Sequence, residues 1–170
     1  MMFSLPIGLC AALLISLLAA LQDARTGLIG NALTLPPLVI APLYFGLTLG
    51  WQHGLVAMLA SVLCGLIPYW MFRAGAAGGG DVKLFASLGA LGGMDFGLSV
   101  MCLSFVVAAV YSCVLLAKSG GLKQTLINTL TLVTNVFRRP DHRTKVASVP
   151  MATVRMGVPI FVAALLWVIA

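Results

Sequence analysis

Residues 97–117 read GLSVMCLSFVVAAVYSCVLLA, a stretch without a single charged side chain. Its length falls within the ~17–25 apolar residues that carry an α-helix across a bilayer. The rest of the chain decides whether lipid or a protein core surrounds it. The 170 residues are 61% hydrophobic and only 8% charged, with a mean hydropathy of +1.11. Soluble domains carry about 25% charged residues, so this composition cannot coat a water-exposed surface. The chain reads as an integral membrane protein, and its spans have helix length.

Working outward, five further apolar segments appear. Residues 3–21 (FSLPIGLCAALLISLLAAL) resemble a secretory signal peptide in length, but nothing before Arg25 is basic. A signal peptide wants a positive n-region, so an uncleaved helix is expected. Residues 33–49 form a second span, kinked or starting late because of Pro36, Pro37 and Pro42. Residues 55–72 follow a GWQHG turn, 82–93 follow a glycine run, and 156–170 close the chain. A GMDF turn separates 82–93 from 97–117. The expected fold is all-α, a single membrane domain over 1–170 with about six transmembrane helices.

The net charge of +6 raises the question of an acidic partner such as nucleic acid. The order of the spans answers it. With the N-terminus outside, loops 22–32, 73–82 and 118–155 are cytoplasmic, and every lysine and arginine falls in or next to them. That partition is what the positive-inside rule describes, and it leaves no charge for nucleic acid to explain. Both termini are then outside. Within the last loop, Leu122, Leu126, Leu130, Val133 and Phe137 recur at helical spacing, which predicts an amphipathic helix on the inner membrane surface. Cys10, Cys64, Cys102 and Cys113 are isolated in apolar stretches. They read as packing residues rather than metal ligands.

All four acidic residues are aspartates. Asp95 lies in an outer turn and Asp141 in the basic RRPDHR loop, where solvated roles suffice. Asp23 lies just beyond helix 1 and Asp81 at the start of helix 4, both at the cytoplasmic edge. Asp81 follows GAAGGG (75–80), a backbone with almost no side chains that can pack closely or adopt left-handed angles. Capping helix 4 is one role open to Asp81. A facing pair of aspartates has another. Two close carboxylates share a proton; the ionised one draws a proton from water while the protonated one polarises a scissile carbonyl. Helix-end fields would favour the anion on Asp81 and the shared proton on Asp23.

GGGDVK (78–83) resembles the GxGD motif of the type IV prepilin peptidases, and DARTGLIGN (23–31) is similar to that family's first motif. The layout looks like the short form serving tight-adherence (Flp-type) pili. The resemblance implies a membrane-embedded aspartic endopeptidase with Asp23 and Asp81 as the catalytic pair. Gly78, Gly79 and Gly80 would shape the loop for substrate approach, and Asn31 and Lys83 match family positions. Gly30 stands where the family usually has proline. The cytoplasmic cysteine-bearing domain of the long forms is missing, so methylation of the new N-terminus is not expected. The implied partner is a prepilin with a short basic leader and one apolar helix, cut at the cytoplasmic face of a bacterial inner membrane. No cofactor and no metal is expected.

Other proteases fit poorly. There is no glutamate, which excludes HExxH zinc chemistry, and His53 and His142 fall on opposite sides of the membrane. The alternative from another class is a small ion- or proton-coupled transporter subunit. Such a protein should hold carboxylates near mid-bilayer, and here the spans themselves contain none.

Overall fold

The structure, a computed structural model, describes residues 4–73, 77–118 and 155–169. These residues form five helices: α1 (Ser4–Thr26), α2 (Asn31–Leu49), α3 (Trp51–Arg73), α4 (Gly79–Lys118) and α5 (Gly157–Ile169). There is no strand among the described residues. The amphipathic stretch expected at 121–137 lies outside them.

Four helices are long and apolar enough to cross a membrane, namely Ile7–Thr26, Asn31–Leu49, Trp51–Arg73 and Gly79–Leu115. Large apolar side chains such as Val39, Leu47, Met58 and Trp70 stand exposed. So much apolar surface needs lipid around it. The protein is an all-helical membrane protein.

Helix boundaries differ from the sequence expectation wherever a polar stretch suggests a break. α1 continues to Thr26, so Asp23 sits inside its last turn rather than beyond it. The true stop is Gly27, whose φ of 70° makes it a left-handed cap with its N–H on the Asp23 carbonyl at 2.8 Å. Likewise α2 begins at Asn31, ahead of its prolines. The GWQHG turn reduces to Gly50, with φ 106°, and α3 resumes at Trp51. Polar residues end a membrane span without ending a helix.

The GMDF turn also contracts to one residue. Within α4 only Gly93 leaves helical geometry, at φ 85° and ψ 177°. The break folds the helix back on itself. A Cβ added to Gly97 would come within 2.9 Å of the Gly89 Cα, and the Phe85 and Phe105 rings lie 5.9 Å apart. A continuous helix would separate those two phenylalanines by ~30 Å. The arms 79–92 and 94–107 therefore run side by side.

The chain divides into two compact units, Met1–Val107 with Arg155–Ala170, and Ala108–Val154. The described part of the second unit, 108–118, is the C-terminal end of α4, where Ser112 Oγ donates to the Ala108 carbonyl at 2.7 Å. In the first unit α2 packs chiefly on α3, and α1 on α5. Its core joins Ala12 and Ala19 of α1, Leu84, Phe85 and Leu88 of one α4 arm, Phe96 and Val100 of the other, and Ile160, Ala163 and Ala164 of α5. Phe96 meets Trp167 edge-on at 5.1 Å.

Lipid tails are as apolar as leucine, so close packing has to hold these helices together. Small residues allow it. A Cβ on Gly89 would strike the Ala60 carbonyl at 2.7 Å and Cys64 Sγ at 2.8 Å. Cys64 is thus a buried packing residue between α3 and α4.

Candidate active site

The cytoplasm-facing end expected from sequence corresponds to the end of the first unit where α1 and α3 finish and α2, α4 and α5 begin. Each element's local chemistry brings one polar group there.

Asp23 belongs to the last turn of α1 and is 5% exposed. A buried carboxylate needs a donor, and it has one: Gly157 N–H, at the start of α5, donates to Asp23 Oδ2 at 2.8 Å. The next residue, Ala24, offers its carbonyl to the Arg155 guanidinium. The link that follows is short and tied down. Gly30 N–H donates to Gln22 Oε1 at 3.1 Å, and Leu28 N–H to Thr26 Oγ1 at 3.3 Å. These bonds hold Ile29 against the start of α4.

Asp81 is the third residue of α4 and partly buried. Its Oδ2 accepts the Gly78 N–H at 3.1 Å, and its own N–H donates to the Gly78 carbonyl at 3.2 Å. This reciprocal arrangement caps the helix, as its place in the sequence suggested. Asp23 in the last turn of α1 and Asp81 in the first turn of α4 thus stand at the same end of the first unit.

Of the two uses open to the glycines before Asp81, the structure shows close packing and not left-handed backbone. None of Gly78, Gly79 and Gly80 has a positive φ; Gly79 and Gly80 form the first turn of α4. Gly80 matters for its missing side chain. A Cβ there would lie 2.9 Å from Ile29 Cβ and 3.2 Å from the Ile29 carbonyl oxygen. Gly80 is the point of contact between the link after Asp23 and the helix carrying Asp81. Gly79 lies against the Phe72 ring, and Gly78 is exposed beside Asp81.

Asn31 and Lys83 also come together. Lys83 Nζ donates to Asn31 Oδ1 at 2.7 Å, joining the first turns of α2 and α4. One turn further on, the buried Ser87 Oγ lies 2.7 Å from both the Thr34 and Lys83 carbonyls. Ser87 therefore ties α4 to α2.

Sequence reasoning missed Gly157 and Arg155. Arg155 read as one more loop charge, and Gly157 as the start of an apolar segment. No spacing signal connects either to Asp23, more than 130 positions earlier. The helix-end argument for the proton also changes. Asp23 sits at the C-terminal end of α1 but also at the N-terminus of α5, so the field of α1 alone does not describe it.

Among the described residues no group of three His, Cys, Asp or Glu side chains is arranged to hold a metal ion. The site as built is two carboxyl groups, each on one backbone N–H, beside a lysine–asparagine contact.

Fold and site define a helical membrane protein with two aspartates at one end of its helices. The sequence matches the model of the type IV leader peptidase family over residues 10–113, well over half the chain, and the protein belongs to that family. It is accordingly a membrane peptidase of the leader-peptidase type. The matched region includes Asp23, Asn31, Asp81 and Lys83 but ends before α5. No curated protein and no solved structure matches the chain.

Proposed function

We propose that this protein is an aspartic endopeptidase that removes the short basic leader of Flp-type prepilins at the cytoplasmic face of a bacterial inner membrane. The observation that carries the reading is the meeting of Asp23 and Asp81. Residues from two distant motifs share one end of the fold: the short link after Asp23 touches α4 through Ile29 and Gly80, the residue before Asp81.

In the proposed reaction one aspartate is ionised and the other protonated. The carboxylate takes a proton from water, and the resulting hydroxide equivalent attacks the scissile carbonyl carbon. The protonated aspartate hands its proton to the carbonyl oxygen. The tetrahedral intermediate is then a gem-diol. As it collapses, one hydroxyl gives its proton back to the second aspartate while the carbonyl re-forms. The C–N bond breaks with the amine collecting the proton held by the first aspartate, so the pair ends as it began. No metal or cofactor enters the balance.

Charge supports the cytoplasmic assignment. Arg25 and Arg73 occupy the last turns of α1 and α3, Lys83 the start of α4, and Arg155 touches Ala24. All four cluster at the aspartate end, as the positive-inside rule requires of a cytoplasmic face. In this reading the two α4 arms each cross, and α5 crosses as well, which gives six spans with both termini outside. The order of events around Asp23 and Asp81 also suits the substrate. A pilin helix standing in the bilayer presents its leader junction at membrane-edge depth.

The test uses purified protein in lipid with a Flp-type prepilin, comparing wild type, Asp23→Asn and Asp81→Asn by mass spectrometry of the leader. Wild type should cleave and neither variant should. Cleavage by either folded variant would sink the paired-aspartate mechanism and leave Asp81 as a helix cap.

A further inference from the structure

The N-terminus of α5 reaches Asp23 in a way the family match does not account for, because that match stops at residue 113. Asp23 is 5% exposed and lies in the last turn of α1. The free carbonyls of a helix C-terminus repel an anion, so its own helix offers it nothing. The donor comes from α5, where Gly157 N–H stands 2.8 Å from Asp23 Oδ2. That amide is one of the unpaired donors that every helix start leaves over. A bond from it to a carboxylate is charge-assisted and directional.

The contact depends on residue 157 lacking a side chain. A Cβ there would lie 2.8 Å from Asp23 Cβ, 2.9 Å from Asp23 Oδ2 and 3.2 Å from the Ala19 carbonyl oxygen. Asp23 Cβ and the Ala19 carbonyl are fixed by the backbone of α1 and cannot swing aside, so any larger residue pushes α5 and Asp23 apart. Two residues earlier, the Arg155 guanidinium holds the Ala24 carbonyl in the same turn of α1. Behind Gly157, Ile160, Ala163 and Ala164 are fully buried and fix α5 in the core. Asp23 is thus gripped by a rigid helix on one side and its own helix on the other.

We propose that Gly157, with Arg155, is a positioning residue for peptide hydrolysis, setting the orientation of the Asp23 carboxylate through the α5 amide. This rests on the reading of Asp23 as one of the catalytic pair. With Oδ2 engaged by Gly157, Oδ1 is the oxygen left to exchange a proton with water. Because positioning acts on the reacting groups and not on the distant pilin helix, its loss reduces kcat and spares KM.

The experiment uses full-length protein in lipid nanodiscs. Gly157→Ala is compared with Gly97→Ala, whose added Cβ would crowd Cys64 Sγ at 2.5 Å and the Gly89 Cα at 2.9 Å away from either aspartate. Gly157→Ala should lower kcat by about tenfold or more with KM within about twofold, the scale expected for a misplaced catalytic group. Gly97→Ala should leave kcat near wild type. Independently, Met156–Gly157 is the sole Met–Gly pair in the sequence, so carbonyl-13C methionine with 15N-glycine labelling isolates the Gly157 amide resonance. That resonance should move strongly in Asp23→Asn, which removes the charge of its acceptor, and less in Asp81→Asn.

Unchanged kcat in Gly157→Ala, an equal loss in Gly97→Ala, or a Gly157 amide indifferent to Asp23→Asn would each overturn the proposal. Absence of hydrolysis by wild type would refute the functional reading instead, and the amide response would still decide the Gly157–Asp23 contact by itself.

Discussion

Gly80→Ala is the smallest change that should disable the proposed site while leaving every charged group in place. An added Cβ at residue 80 meets Ile29 Cβ at 2.9 Å and the Ile29 carbonyl oxygen at 3.2 Å. Carbon atoms settle at ~3.5–4.0 Å, so the link and the start of α4 must separate by about 0.6–1 Å. No rotamer relieves this, because the obstacle on the isoleucine is Cβ itself. The strain of such overpacking is about 1–3 kcal/mol, which a folded protein can tolerate. The geometry is less forgiving. Asp81 is the next residue, and a displacement of about 1 Å between reacting groups costs on the order of 10²-fold in rate.

The assay is prepilin cleavage in lipid, with Gly78→Ala as the comparison, since among the described residues an added Cβ at 78 meets only Asp81 atoms, the nearest at 3.2 Å. Gly80→Ala should lose about 10²-fold in kcat, and Gly78→Ala considerably less. The double variant Gly80→Ala/Ile29→Gly removes the obstructing atom and should recover much of the loss. A folded Gly80→Ala that cleaves at the wild-type rate would refute the argument that this contact sets the distance between the two aspartates.

Three further outcomes are expected. At Gly93, with φ 85° and ψ 177° and, among the described residues, open space where a Cβ would go, the cost of substitution is conformational, about 1–3 kcal/mol in a backbone region that is essentially glycine-only; thermal unfolding in detergent should rank wild type above Gly93→Ala and Gly93→Val lowest. Ser87→Ala removes the buried bridge to the Thr34 carbonyl and should destabilise by about 0.6 kcal/mol, the average for such bonds in membranes, a small fall in Tm in the same measurement; a stabilised variant would show that the bridge is not a net contributor. In a cysteine-free background, a membrane-impermeant maleimide added to intact spheroplasts should label Asp95→Cys and not Gly78→Cys, and the reverse pattern would overturn the proposed orientation.

Composition and hydropathy alone determined that this is a helical membrane protein, because a chain with 8% charged residues has no means of facing water. The two aspartate motifs were equally legible, since a chain with four acidic residues makes each one conspicuous. Glycine was harder to interpret. Gly27, Gly50 and Gly93 each carry a positive φ and end or fold a helix. Gly80 and Gly157 permit contact instead, and nothing local distinguishes the two uses.

Tertiary structure decided the rest. It carried α1 through Asp23 to Gly27, folded α4 at Gly93, paired Lys83 with Asn31, and delivered the α5 amide to Asp23. A helix stops where backbone geometry changes, not where hydropathy falls. The partner of a buried carboxylate is set by which helix start packs beside it, and sequence distance carries no record of that.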